Sequence, residues 1–289
     1  MRLILTLIML SSTTTIAQSP YISQEQRERW HTTDAEPAEP FRVMGNIYFV
    51  GAKGLASYLI TTPEGHILHD TGTVEMHDVI RSNVETLGFK VEDIKFMLHS
   101  HAHVDHMQGH AAMKRATGAQ IIALGGDAVA IESGQDNSAL GDEGWEPVEV
   151  DQVVEDGDTL TFGGMTLRAV WTGGHTQGAT MWITTVQEAD QEYTVAFRGG
   201  EIPNAGVPLI DNPRHPTVVE DTQRTLRVLK ALSPPDLFLH NHVRAESSAL
   251  NSDIPINPNC ASCLDAEGWT DFVSNAESTF QSMLTGVGR

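Results

Sequence analysis

The sequence predicts an α/β domain in which two β-sheets are covered by outer helices. Three observations point there. Short apolar runs punctuated by Gly and Pro come in clusters, and helical patterns follow them. That succession occurs twice, once in each half of the chain. No short-period repeat or low-complexity linker divides the 289 residues, so one layered domain is the natural solution.

The first residues, "MRLILTLIMLSSTTTIAQ", have the order of a secretory signal. Arg2 supplies the positive start and Leu3 to Leu10 an apolar run too short to span a bilayer. Thr15-Ile16-Ala17 then offers a small-residue cleavage site before Gln18. The expectation is therefore a signal peptide over 1–17 and a periplasmic or secreted mature protein. No cysteine follows the apolar run closely, and no later stretch reaches the roughly 18 apolar residues of a membrane-spanning helix. A stable membrane anchor is not expected.

Residues 18–40 are polar and proline-bearing and read as an N-terminal arm, leaving 41–289 as the catalytic domain. Strands are expected in "NIYFVGA", "ASYLITT" and "HILHDTG", where apolar residues alternate or run together. "VEMHDVIRSNVETLG" then places Met76, Val79, Ile80, Val84 and Leu87 at helical spacing, with Gly88 as the stop. "IKFMLHSH" reads as a buried strand, "MQGHAAMKRATG" as a helix and "QIIAL" as a strand, before a loop-rich middle. "TLTFGGMTLRAVWTGG", "ATMWITTV" and "YTVAFRGG" are strand-like. "PTVVEDTQRTLRVLKAL" is helical, "DLFLHNH" a buried strand, and 264–284 a terminal helix.

The formal charge of −20, from 38 acidic against 18 basic residues, argues against a nucleic-acid partner, which needs a basic face. Cys260 and Cys263 are the only cysteines. In an exported protein they can close a small disulfide loop, with two free thiols as the alternative.

The chemistry concentrates in "LHSHAHVDHMQGH", where five of thirteen residues are histidine. His101 and His103 stand at i and i+2 after a buried strand, so extended backbone aims both imidazoles the same way. Asp105 and His106 follow as the chain turns and can face a second metal. His175, in "TGGHTQGAT", and His242, in "LFLHNHVRA", also sit after apolar strands. His101, His103 and His175 would then hold one zinc, and Asp105, His106 and His242 the other. Imidazole and carboxylate donors suit this metal. His99 and His110 are assigned to supporting or surface positions. His240 lies two residues before His242 and competes with it for the ligand role.

These residues and several longer segments resemble the metallo-β-lactamase superfamily, and within it subclass B3. The signature string HxHxDH is present. "FRVMGNIYFVGAKGLASYLITTPEGHILHDTG", "RATGAQIIA", "GHTQGATMW" and "NPRHPTVVED" look like subclass B3 segments in matching order. The resemblance implies an αββα sandwich of two mixed β-sheets with helices on both outer faces. It implies two zinc ions on the six residues named, and a zinc-bridging hydroxide beside Asp105 that attacks a β-lactam carbonyl. No convincing SxxK acylation pair competes with that reading.

The pattern departs in places. Where subclass B3 usually carries two substrate-contacting serines, the segment "FRGGEIPNAGVPLIDNPRHP" puts Glu201 and Pro203. Glu201 is expected either at the metal centre, tilting the site away from β-lactams, or on the surface. "HNHVRA" replaces a Thr-Pro-His-Pro run, so Arg244 is a candidate for a substrate carboxylate or a solvated side chain. Trp145 is a candidate wall over the metals or a loop anchor. The resulting expectation is a β-lactamase acting on a small molecule. The alternatives are a dizinc hydrolase of lactones, thioesters or phosphoesters, and a metal-binding protein without catalysis.

Overall fold

The computed structural model describes residues 19–141, 143–243 and 266–286. The expected signal peptide, Arg244, Cys260 and Cys263 lie outside those residues. Among the described residues, no helix is long and apolar enough to cross a membrane.

The N-terminal segment is not a loose arm. It forms α1 (Gln24–Trp30), capped by Ser23, whose Oγ accepts from the Gln26 N–H at 3.1 Å. Next come β1 (Phe41–Met44), β2 (Ile47–Phe49), β3 (Tyr58–Thr62) and β4 (Gly65–His69), joined as antiparallel neighbours. From there the sheet turns parallel: β5 (Ile94–Leu98), β6 (Gln120–Leu124) and β7 (Gln152–Val154) each add at its edge. Parallel strands need crossovers. These are α2 (Met76–Thr86), the short α3 (Val104–Met107) with α4 (His110–Thr117), and α5 (Gly125–Ser133).

The second sheet has the order β12-β11-β10-β9-β8. β8 (Thr159–Phe162), β9 (Met165–Trp171), β10 (Thr180–Glu188) and β11 (Gln191–Phe197) form an antiparallel meander. After α6 (Val218–Ala231), β12 (Leu237–Leu239) joins parallel to β11, and α7 (Ala266–Thr285) follows. The two sheets with helices outside are the sandwich expected from the sequence.

Period-two alternation explains the layers. In β3, Tyr58 and Ile60 face the space between the sheets, while Leu59 faces the helices of the first half. In β11, Val195 and Phe197 point between the sheets and Ala196 points outward. One core therefore fills the inter-sheet space, and two more lie under the outer helices. On α2, Met76, Ile80 and Val84 are fully buried at the spacing read from the sequence. On the far side Trp269, Phe272 and Val273 of α7 close over Val170, Met181 and Ala196.

α5 falls in a stretch to which the sequence reading assigned no helix. It begins with Gly125-Gly126, which reads as a breaker. Tertiary contact explains the glycine: a Cβ on Gly126 would lie 2.6–2.8 Å from Gln177.

Candidate metal centre

The site sits where strand ends of both sheets meet. β5 ends at Leu98, and the extended residues after it deliver His101 and His103. The first turn of α3 then carries Asp105 and His106. His175 comes from the turn between β9 and β10, and His242 from the segment after β12, where it bridges to Leu55.

The imidazoles converge. Ring centroids of His101, His103 and His175 lie 4.4–4.9 Å apart, and one donor atom from each falls within 4.8 Å of the others. His101, Asp105 and His106 form a second such group. His106 Nε2 lies 3.1 Å from His242 Nε2, and both are 3.4 Å from Asp105 Oδ2. Six nitrogen and oxygen donors thus share one small volume, and none is sulfur.

The outer atoms of these rings are fixed, which sets what the inner atoms can do. His175 Nδ1 donates to the Ile202 carbonyl at 2.7 Å, and His106 Nδ1 donates to Asp70 Oδ2 at 3.1 Å. His101 Nδ1 is 3.1 Å from Ser100 Oγ, and His103 Nε2 is 3.0 Å from Ser138 Oγ. That leaves Nε2 of His101, His106 and His175, and Nδ1 of His103, for the interior of the cluster.

Two buried aspartates hold the framework. Asp70 takes the Ser100 N–H at 2.7 Å and the Ser100 hydroxyl at 2.9 Å besides His106. Asp127 accepts from the Ala102 N–H at 2.7 Å, the Gly178 N–H at 2.7 Å and the Thr176 hydroxyl at 2.9 Å, tying the His101–His103 segment to the His175 turn.

Electrostatics separate the groups. Burial, then the neighbouring imidazoles, holds His101 and His175 well below the usual histidine range. Burial followed by His106 brings His242 down to about 4. Burial would lower His106 as well, yet Asp105 and Asp70 carry it up to about 10. Burial opposes ionisation of Asp105, but His106 and the other imidazoles outweigh it and hold the carboxyl below its ordinary range. Neutral imidazoles beside an ionised carboxylate are the protonation states metal ligation requires, with a proton to displace at His106.

The cluster opens on a cavity of about 260 Å³. His101, His103, Asp105, His175 and His242 line its floor, Ile22, Gln26, Arg29 and Trp30 of the N-terminal segment one wall, and Val104, Leu140 and Asn204 the rest. Arg29 Nε is held by Asp34 Oδ2 at 2.9 Å.

Residues 50–242 match the family model of the metallo-beta-lactamase superfamily. The chain belongs to that superfamily.

Solved structures agree. A metallo-beta-lactamase of Cronobacter sakazakii with a HARLDQ motif is 35% identical, with a TM-score of 0.79 over 88% of this chain and 97% of that one. FEZ-1 of Legionella gormanii is 31% identical, TM-score 0.78, over 88% and 98%. BJP-1 of Bradyrhizobium japonicum, a subclass B3 enzyme, is 32% identical, TM-score 0.77, over 89% and 97%. Residues 101–106 here read HAHVDH, with histidine at the third and sixth places of the hexad. Curated relatives match over shorter stretches. A probable metallo-hydrolase of Burkholderia pseudomallei is 28% identical over 47% of this chain and 47% of its own length. A hydroxyacylglutathione hydrolase of Rhodospirillum rubrum is 32% identical over 32% and 29%. The chain thus matches less than half the length of these two curated relatives.

Within this metallo-β-lactamase fold the other candidate residues find definite places. His240 does not reach the cavity. It is buried, with Nδ1 3.3 Å from Arg198 Nη1, and His242 takes the cavity position. Glu201 is neither at the metal centre nor on the surface. It is 2% exposed, lines no part of the cavity, and both its oxygens are engaged by Arg198. Trp145 is an anchor rather than a wall: its ring packs in the core under the first-half helices, and its backbone N–H donates to the Gly134 carbonyl at 3.0 Å. His99 and His110 are buried, His99 Nε2 lying 3.5 Å from Asp127 and His110 Nδ1 2.8 Å from Thr71 Oγ1.

Sequence reasoning missed Asp70, Asp127 and the α1 wall. Asp70 had a signal, an acidic residue ending the strand "HILHDTG" as the histidines end theirs. α1 had one too, the capping pattern Ser23-Gln24-Glu25-Gln26, whereas Asp127 had none that local pattern could supply.

Proposed function

We propose that the protein is an exported dizinc hydrolase that opens the β-lactam amide bond, a β-lactamase of the subclass B3 type. The observation that carries this reading is the pair of donor triads meeting at one cavity, with Asp105 Oδ2 3.4 Å from both His106 and His242. His101, His103 and His175 would hold one zinc; Asp105, His106 and His242 would hold the other. The donor set fits the metal, since imidazole nitrogens and one carboxylate suit zinc and the outer ring nitrogens of His101, His103, His106 and His175 already have partners. Two zinc ions bound there would supply Lewis acidity and a water of pKa near 7, the chemistry amide hydrolysis needs.

The chain's own residues do the rest. Asp105, kept ionised, can accept a proton from the attacking water at Oδ1, the oxygen its donor triad leaves free, and return it to the leaving nitrogen. Ile22, Trp30 and Leu140 give the cavity an apolar side that shields the reacting bond from bulk water, and Gln26 and Asn204 offer amide hydrogen bonds for orientation. Matches that cover 97%, 98% and 97% of three solved metallo-β-lactamases, at 35%, 31% and 32% identity, favour β-lactams among hydrolysable substrates.

The test follows the ultraviolet absorbance of a carbapenem and a cephalosporin with the protein from Gln18 and added zinc, then with a chelator. Chelator-sensitive loss of both chromophores is expected; zinc-loaded protein that leaves both untouched sinks the reading. A second reading, a thioester or lactone hydrolase, is favoured by the partial match to a hydroxyacylglutathione hydrolase. Turnover of S-lactoylglutathione with intact carbapenem would select it.

A further inference from the structure

Glu201 is buried and ionised-type in chemistry, yet it stands outside the cavity, so its role must lie in what it holds. It closes a loop. β11 ends at Phe197, and Arg198, Gly199, Gly200 and Glu201 follow. The Arg198 guanidinium donates to Glu201 through Nε, at 2.9 and 3.1 Å, and through Nη2 at 2.8 Å. Nη1 donates to His240 Nδ1 at 3.3 Å, and the guanidinium lies over the Phe272 ring at 5.3 Å. Main-chain and amide contacts pin the same segment: the Arg198 N–H reaches the Leu239 carbonyl at 2.8 Å, and Asn241 Nδ2 reaches the Gly199 carbonyl at 3.0 Å.

The two glycines inside the loop are there for closeness. A Cβ on Gly200 would fall 2.6–2.8 Å from Cβ, Cδ2 and Cγ of His175, so this imidazole rests on bare backbone. One residue past Glu201, the Ile202 carbonyl accepts the His175 Nδ1 proton at 2.7 Å. Consecutive glycines leave a chain more freedom than any other pair. Something must remove that freedom if the carbonyl is to hold the ring, and the ion pair spans the glycines from one side to the other. An ion pair whose carboxylate is buried and whose guanidinium is partly exposed is weak evidence for stability, since apolar packing often does as well or better. Position is what it supplies.

We propose that the Arg198–Glu201 pair, backed by His240 and Phe272, is a positioning clamp that fixes the Ile202 carbonyl against His175 and thereby sets the tautomer and aim of that imidazole. The proposal rests on the reading of His175 as a metal ligand. Arg198 and Glu201 are positioning residues and touch neither substrate nor metal.

The test uses Glu201→Gln and the double variant Arg198→Met/Glu201→Leu, which removes both charges together and so leaves neither one without its partner. Two quantities are read on each. One is the His175 Nδ1–H signal in a long-range proton–nitrogen correlation of metal-free protein, assigned by its absence in His175→Ala. The other is zinc affinity, by competition with a chromogenic chelator. Both variants are expected to melt cooperatively. Each should lose the protected Nδ1–H signal, and affinity at one of two sites should fall about 10–100-fold. A double variant that keeps signal and affinity overturns the proposal. So does one that no longer melts cooperatively, because the pair would then be supporting the fold. Wild-type protein that shows the Nδ1–H signal but takes up no zinc overturns the metal-ligand reading and leaves the clamp standing.

Discussion

Asp70 joins backbone strain to charge placement in a single residue. Its φ of 59° lies in the left-handed region, where Asp and Asn are among the few side chains tolerated. Its carboxylate is fully buried; burial would raise its pKa, but His69, His106 and the Ser100 N–H bring it down to about 2. Replacing Asp70 with Asn keeps the size and the backbone preference but puts an amide where His106 needs a carboxylate. Zinc affinity at one of the two sites is expected to fall about 10–100-fold while the fold survives, as a chelator competition and a thermal melt would show. Unchanged affinity would remove Asp70 from the site. At this scale the histidines were legible because HxHxDH is local: spacing alone aims the rings. The roles of Asp70 and Glu201 were not, because Asp70 acts on His106 from a neighbouring strand end and Glu201 acts through Arg198 beside the Ile202 carbonyl.

At the scale of elements, α1 decides what enters the cavity. Seven residues are too few for a stable isolated helix, so packing must hold it. Trp30, 7% exposed, joins the first-half core, and Arg27 donates to the Ile22 and Ser19 carbonyls at 2.7 and 2.6 Å. Trp30→Ala should cost about 3 kcal/mol or more in urea unfolding and raise KM with kcat nearly unchanged, because a wall is lost and no reacting group is touched. A variant with lower kcat and the same KM would mean the wall is not what Trp30 supplies. Asp127 is the comparable tie between elements. Asp127→Ala leaves the Ala102 and Gly178 N–H groups buried without acceptors, at about 1–3 kcal/mol each. A melting midpoint within a degree of wild type would contradict that. Strands and long helices were legible from apolar periods of 2 and 3.6. α1 and α5 were not: one is short and highly polar, and the other opens on glycines that its neighbours require.

For the whole molecule, buried imidazoles outside the metal centre contribute to the loss of stability in acid. Burial is the first cause that brings His69 to about 4 and His110 to about 3. Unfolded histidine titrates near 6.5, so the unfolded chain takes up protons first as pH falls. Stability from these two groups is complete above roughly pH 6.5 and declines as pH falls towards 4 and then 3, by about 1.4 kcal/mol per pH unit for each. The chelated protein should therefore melt several degrees lower at pH 5 than at pH 7, and His110→Gln should lessen the difference. Equal midpoints at the two values would refute this. The layered architecture was legible at this scale because two strand clusters and two helix sets need two sheets with helices outside, whereas the way six donors from both halves meet had to come from the packing of those sheets.

The expectations for zinc affinity and turnover depend on six donors forming one dinuclear centre. The direct measurement is native mass spectrometry of the protein from Gln18, dialysed with zinc and then against metal-free buffer. A mass increase of two zinc ions per chain, reduced to one or none in His106→Ala, is the expected result. A single retained zinc in the wild type, or the same zinc content in both proteins, would contradict the account.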